Sequence, residues 1–380
     1  MDGTMDCDVI VIGGGIAGAS AAAEIAAARR VILLERESQP GYHTTARSAA
    51  LLTPYYGTPT VRGLNLAGGR FYAEPPHGFA EVPLLAPRGE LYIGRRGEEH
   101  LVDEEADRAR SLGGDAEILD VDATLAMVPI LRREWIGAVW YDASAADMDV
   151  GAILQGYIRL LRHRGGELRT DAEVLALSRA GDGWAVTTPR GIVRAPVVVN
   201  ASGAWADTIA DMAGVGGLGV QPMRRTMVIV APPPGHDTRR WPGCADVREK
   251  DGWYFKADAG RLMCSPADET PSEPCDAQPD ELDIAITIDR VQQAADLPVR
   301  RIEHSWAGLR SFSPDRTPIV GYDPRSEGFF WLAGQGGFGI MTAPSLSTIT
   351  AHLVAGVPLP RWLGEHDLAK LAPERFIAAS

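Results

Sequence analysis

Four apolar residues, Val9 to Ile12, run straight into Gly13-Gly-Gly15, and a second apolar run, Val31 to Leu34, ends in Glu35. Continuous apolar runs of that length, cut off by glycine, predict buried parallel strands. The alanine-rich stretch between them predicts a helix over 16–29. Polar, glycine- and proline-punctuated residues 36–46 predict a loop, and the apolar return after Arg47-Ser48 predicts a short helix with hydroxyls at its start. Strand-type residues fill 81–94, where Glu90, Tyr92 and Gly94 alternate with Leu91 and Ile93, and a charged helical pattern covers 98–112. Asp147-Met-Asp149 leads into a helix that stops at Gly165-Gly166. The runs 173–177 and 184–188 flank Gly181-Asp-Gly183 as a hairpin does, and 195–200 reads as another buried strand entering small residues and a helix. Strands are expected at 224–230, 253–257 and 261–265, with loops at 231–235 and 267–280. The chain closes on 328–340, an apolar strand running into glycines and a helix.

These segments predict an α/β protein: a Rossmann-type domain interleaved with an antiparallel-sheet, α+β domain. The nucleotide-binding part takes residues 1–57, 146–222 and 305–380, and the second domain 58–145 and 223–304. The stretch 9–28 is apolar enough to suggest a membrane span. Its glycines, Ser20 and Glu24, with Asp2, Asp6 and Asp8 before it, fit neither a span nor a signal peptide. A cytoplasmic protein is expected, with attachment to a membrane surface left open. A net charge of −13 leaves no basic surplus for nucleic acid. Cys7, Cys244, Cys264 and Cys275 show neither C-x-x-C pairing nor metal-ligand spacing, so reduced thiols and no metal are expected.

The opening motif carries the chemistry. Gly13 lets the chain turn, Gly15 lets backbone N–H groups approach a pyrophosphate, and Gly18 lets the helix lie close to the sheet. Glu35 stands where a carboxylate accepts hydrogen bonds from a ribose. Glycine- and alanine-rich backbone recurs at Ala201 to Gly203 and at 334–339. A nicotinamide enzyme needs mainly the first site, whereas an enclosed flavin needs all three, so FAD is favoured over NAD. No cysteine lies in the closing segment, which predicts FAD held without a covalent bond.

The strings Glu-Ser-Gln-Pro-Gly-Tyr-His at 37–43, Ala-Pro-Pro-Pro-Gly at 231–235, His-Ser-Trp-Ala-Gly-Leu-Arg-Ser-Phe at 304–312 and Gly-Phe-Phe-Trp at 328–331 resemble the FAD-dependent D-amino acid oxidase superfamily. Within it the chain is most similar to the bacterial D-arginine dehydrogenases. The resemblance implies that Arg225 and Arg310 bind the substrate carboxylate and that Tyr56, on a mobile loop, and Tyr254 cover the flavin. It further implies that the Gly308 carbonyl meets the substrate amine and that Glu90 meets a distal cationic group. Cofactor contacts are implied at Ile16, Ala17, Arg36, Thr45, Arg47, Ser48, Ala49, Ala50 and Leu51. They continue at Val174 and Trp205, then at Gly334, Gly336, Gly337, Phe338, Gly339 and Ile340. Leu51 and Met341 depart from the D-arginine pattern, where histidine and glutamine stand, and remove polar groups from the pocket.

The expected reaction is oxidative deamination of a D-amino acid, of which a basic one is the first choice, by hydride transfer from the α-carbon to flavin N5. The imino acid formed then hydrolyses to a 2-keto acid and ammonia. Oxidation of glycine- or sarcosine-type N-substituted amino acids, oxidation of a 2-hydroxy acid, and a non-catalytic dinucleotide-binding protein are the alternatives. A small amino-acid substrate and an electron acceptor, whether quinone, dye-like carrier or O2, are the expected partners.

Overall fold

A computed structural model describes residues 5–248, 250–364 and 367–377. The opening motif forms as expected: strand Val9–Ile12, helix Ile16–Ile25 and strand Val31–Leu34. The helix ends four residues early, and residues 26–29 finish it as a turn. Both strands are wholly buried because they sit inside a six-stranded sheet. Its order is Ile319–Tyr322, Phe329–Ala333, Val197–Asn200, Val9–Ile12, Val31–Leu34 and Glu167–Arg169, all parallel except the first, which is antiparallel. One face packs on the helices Ile16–Ile25, Val150–His163 and Gly339–Ala355 through an apolar core. The other face is covered by a three-stranded antiparallel sheet over 176–195 and by helix Ala206–Met212.

A ten-stranded sheet makes the second layer. It is mixed rather than purely antiparallel, because Gly243–Asp246 runs parallel to Glu90–Arg95. Near one edge it holds the pairing of Gln221–Val230 with His304–Phe312, in register over nine residues. The strand His304–Phe312 therefore lies in this sheet and not with the nucleotide-binding residues that follow it. Helix Glu281–Ala294 covers the sheet's apolar face. The sequence reading expected only strands and loops there, although Asp280 caps this helix through its side chain. Helix Pro59–Ala73 is a second element that the apolar pattern does not predict, although Thr58 caps it and Pro59 stands in its first turn.

The short helix expected after Arg47 does not form. Residues 40–47 make turns, and Leu51–Leu52 is a two-residue strand. The hydroxyls are spent elsewhere: Ser48 accepts from its neighbour's Ala50 amide at 3.1 Å, and Thr45 accepts from Ile16 at 3.0 Å. A serine bonded two residues ahead closes a turn instead of capping a helix. Among the described residues no helix is long and apolar enough to cross a membrane.

Gly18 sets how closely the first helix meets its strand, since a Cβ there would stand 1.9 Å from the Gly13 carbonyl oxygen. Gly18→Ala should lower stability by about 1–3 kcal/mol through overpacking. A lower urea midpoint with unchanged slope is the expected reading; an unshifted midpoint would show that the helix yields freely.

Candidate functional site

Side chains alternate along a strand and directly opposed residues share a face, so register decides what the ten-stranded sheet presents. Arg225 lies opposite Gly308, and Arg310 follows two residues on. Tyr254 pairs with Ser265 on one side and Ala245 on the other, and Ala245 lies opposite Tyr92. Gly243 opposes Glu90. Gly308, Arg310, Arg225, Tyr254, Lys256, Tyr92 and Glu90 thus occupy one face, while Leu91 and Ile93 are buried in the core behind it.

That face looks onto two adjoining cavities. The first, about 300 Å3, runs from the amino end of helix Ile16–Ile25 past Glu35 to Gly336, Gly337 and the two arginines. Gly13, Gly15, Ile16, Ala17, Arg36, Thr45, Arg47, Ser48, Ala49, Val174, Ala201, Gly203, Trp205, Gly339 and Ile340 line it, as does Gly308. The second, about 180 Å3, is lined by Ala50, Leu51, Tyr56, Glu90, Tyr92, Trp140, Lys256 and Met341, and shares Arg225, Tyr254, Arg310 and Gly337 with the first. A third, about 1000 Å3, lies beside Tyr56 and Phe338. Gly18 and Gly334 line none of them. Gly18 serves helix packing, and Gly334 turns against Ser313 at φ +73°.

The first cavity suits a dinucleotide. Glu35 is buried, with one carboxylate oxygen accepting from the Gly14 amide at 2.7 Å and the other from Glu37 at 2.9 Å. Burial raises its pKa, and those two N–H groups oppose the rise. The carboxylate is thereby fixed at the strand end with lone pairs to spare for a ribose. Arg36 stands 5.0 Å above the Trp205 ring and forms ion pairs with Glu37 and Glu173. The Arg47 guanidinium is already engaged by Asp276 and by the carbonyls of Ala277 and Ala307, so only its flank borders the cavity. At the far end a Cβ on Gly337 would come within 2.9 Å of Arg310 Nη1, so the guanidinium lies directly against this backbone.

The arginines are unlike in their partners. Arg225 Nε donates to the Asp268 carbonyl at 2.6 Å, and Nη2 lies 3.4 Å from Glu269 Oε1. Burial would lower its pKa, but the Tyr254 and Tyr56 phenols and Asp268 outweigh that and the net direction is up. Arg310 has no hydrogen bond or ion pair from its side chain among the described residues. Burial, then the Arg225 charge, hold its pKa below the ordinary value. For Tyr254, burial pushes up but Arg310 and Arg225 pull its pKa down overall. Two guanidiniums, one without an anion among the described residues, converge beside a glycine cradle, an arrangement with the chemistry to bind a carboxylate.

Glu90 points into the second cavity, not to water. Tyr92 donates to its Oε2 at 2.7 Å, and burial raises its pKa to about 7, with Asp142 adding to the rise. Lys256, on the same face, is paired with Asp147 at 2.7 Å. Lys256, Tyr92, and the neighbours Tyr42, His43 and Thr44 of the first cavity were missed in the sequence. Alternation from Tyr254 was the signal that would have found Lys256.

The FAD dependent oxidoreductase family model, DAO, matches residues 8–353. The chain belongs to this family. Its cofactor is FAD. The chain is 27% identical over 251 residues to glycine oxidase from Geobacillus kaustophilus, covering 64% of this chain and 63% of that protein. It is 26% identical over 225 residues to the hydrogen cyanide synthase subunit HcnC of Pseudomonas aeruginosa, covering 58% of this chain but only 52% of that protein. This family member thus spans about half to two thirds of these relatives. The fold matches L-proline dehydrogenase from P. horikoshii with a TM-score of 0.84 at 20% identity, covering 98% of both chains. None of these three is a D-arginine dehydrogenase, so the relatives support the wider family and not that narrower likeness.

Two outcomes follow from the site. No cysteine lines the first or second cavity among the described residues, so acid precipitation should release all the FAD into solution; yellow colour retained in the pellet would show a covalent bond. Glu90 holds a proton in the folded state between its ordinary pKa of 4.5 and about 7 that the unfolded chain has lost, so its burial costs stability as pH rises through that window. Glu90→Gln keeps an acceptor for Tyr92 and removes the titration. Its stability relative to the parent should rise between pH 5 and 8, by roughly 3 kcal/mol at most. A pH-independent difference in denaturant unfolding would contradict the assignment.

Proposed function

We propose that this protein oxidises the carbon–nitrogen bond of a small amino acid carrying a free carboxylate, with a primary or N-substituted amine. The observation that carries the reading is the convergence of Arg225 and Arg310, the latter without a protein anion, on the cavity that ends at Gly336-Gly337. FAD supplies the two-electron acceptor that takes the hydride from the substrate carbon. The chain's own task is to hold the substrate still. A planar guanidinium binds a carboxylate through paired N–H donors and fixes its orientation. Tyr254, 3.2 Å from Met227 Sδ and beside Arg225, walls the same spot, and Gly308 opens backbone to it without a side chain. Tyr56, packed edge-on against Phe338 at 5.2 Å, stands between the second and third cavities and limits water. Placement of this kind lowers the barrier without a side-chain base. Water then hydrolyses the released imine to an oxo acid and an amine or ammonia.

Glycine oxidase and L-proline dehydrogenase, by their names, act on an unbranched and on a secondary amino acid. The second cavity fits such substrates: it is small, and Leu51, Met341 and Trp140 line it. A basic D-amino acid is the second reading, favoured by the buried Glu90 carboxyl at the far end. Against it stands the lining of that end, where Leu51, Met341 and Trp140 surround Glu90 and its carboxyl already accepts from Tyr92. We also divide the chain into a nucleotide-binding lobe, built on the parallel sheet, and a substrate lobe, built on the ten-stranded sheet.

Anaerobic bleaching of the yellow holoenzyme by glycine, sarcosine, L-proline, D-alanine and D-arginine tests the substrate class. Sarcosine, glycine or proline should bleach fastest; D-arginine ahead of all would establish the second reading. With the substrate found, Arg310→Met should raise KM by about 10- to 100-fold, the worth of a charge-assisted contact, and leave FAD bound. Loss of FAD with KM unchanged in reconstituted enzyme would place Arg310 at the cofactor instead.

A further inference from the structure

The loop after strand Arg261–Ser265 brings two acidic residues against the arginine pair. Asp268 is pinned to the strand that carries Arg225: its carboxylate accepts from the Thr226 amide at 2.8 Å and from the Thr226 hydroxyl at 3.0 Å. This fixes the next residue, Glu269, at the wall of the third cavity. Glu269 Oε1 lies 3.4 Å from Arg225 Nη2 and also accepts from Arg316 Nη2 at 2.9 Å, while Oε2 accepts from Arg316 Nη1 at 3.0 Å. The Arg316 guanidinium is itself steadied 3.9 Å above the Phe312 ring. One carboxylate therefore bridges a tight, two-pronged contact on Arg316 and a long, single contact on Arg225.

We propose that Glu269 is a resident counter-anion for the arginine pair, which a substrate carboxylate displaces from Arg225 and which Arg316 then retains. The inference rests on the reading of Arg225 and Arg310 as the carboxylate clamp. Two guanidiniums set side by side repel, and the field of Glu269 reaches both of them. An incoming carboxylate supplies the same charge at closer range, so the 3.4 Å contact is the one to give way. Arg316 offers Glu269 a place to stay, so no carboxylate is stranded when the exchange occurs. Glu269 is thus a specificity-determining residue: it competes with the anion the site must bind, and its own negative charge disfavours substrates with a second acidic group near the mouth.

Acetate serves as the probe, followed by the change it causes in the visible FAD spectrum of the holoenzyme. Glu269→Gln should tighten acetate binding by about tenfold, equivalent to one lost competing contact. Arg316→Gln should weaken it, because Glu269 then has only Arg225 to pair with. A merely structural role for the loop would weaken binding in both variants, and that result, or unchanged binding in Glu269→Gln, overturns the inference while leaving the clamp intact. Arg310→Met separates the two levels. If it binds acetate as tightly as the parent, the clamp reading fails and this inference fails with it.

Discussion

Everything at the site depends on the register of one pair of strands. Gln221–Val230 and His304–Phe312 are aligned so that Arg225 faces Gly308, with Arg310 two residues further on. A shift of one residue between them would turn one of the two guanidiniums off this face and break the pair. The register is held from behind by buried Val228, Val230, Phe255, Leu262 and Cys264 against helix Glu281–Ala294. The chemistry on one face is thus enforced by close packing on the other.

The same alternation carries outward to Tyr254, Lys256, Tyr92 and Glu90, so a single sheet face grades from cations near the glycine cradle to a buried carboxyl at its far end. The electrostatics follow from that grading. Burial and the Arg225 charge depress the Arg310 pKa, and both guanidiniums draw Tyr254 down, whereas Glu90, remote from them and desolvated, resists ionisation. On the proposed reading, the substrate's carboxylate lies at the cationic end and the opposite end takes an uncharged group.

The parallel core was legible because its strands are continuous apolar runs ended by glycine, a pattern that burial on both faces imposes. The face of Glu90 was legible from alternation alone, but whether it met water or a cavity was not, since that depends on a sheet partner 153 residues away at Gly243. Helix Glu281–Ala294 was missed because its apolar positions are diluted among charges, and the short helix after Arg47 was expected because serine and threonine cap helices more often than they bond Ile16 or close a turn. Glu269 pairs with Arg225 and Arg316, both distant in sequence, which no local pattern displays, whereas alternation from Tyr254 reaches Lys256. The narrower likeness to D-arginine dehydrogenases rested on a few short strings, and the relatives reported support the wider family only.

The central claim is that a carboxylate held by Arg225 and Arg310 presents the substrate to FAD. Its most direct measurement is the rate of anaerobic flavin bleaching by the best amino acid found, compared with the amine that lacks only the carboxylate, such as L-proline against pyrrolidine. The account predicts rapid bleaching by the amino acid and a loss of at least about 100-fold with the amine, as expected when paired charged contacts are removed. Equal rates for the two would contradict it.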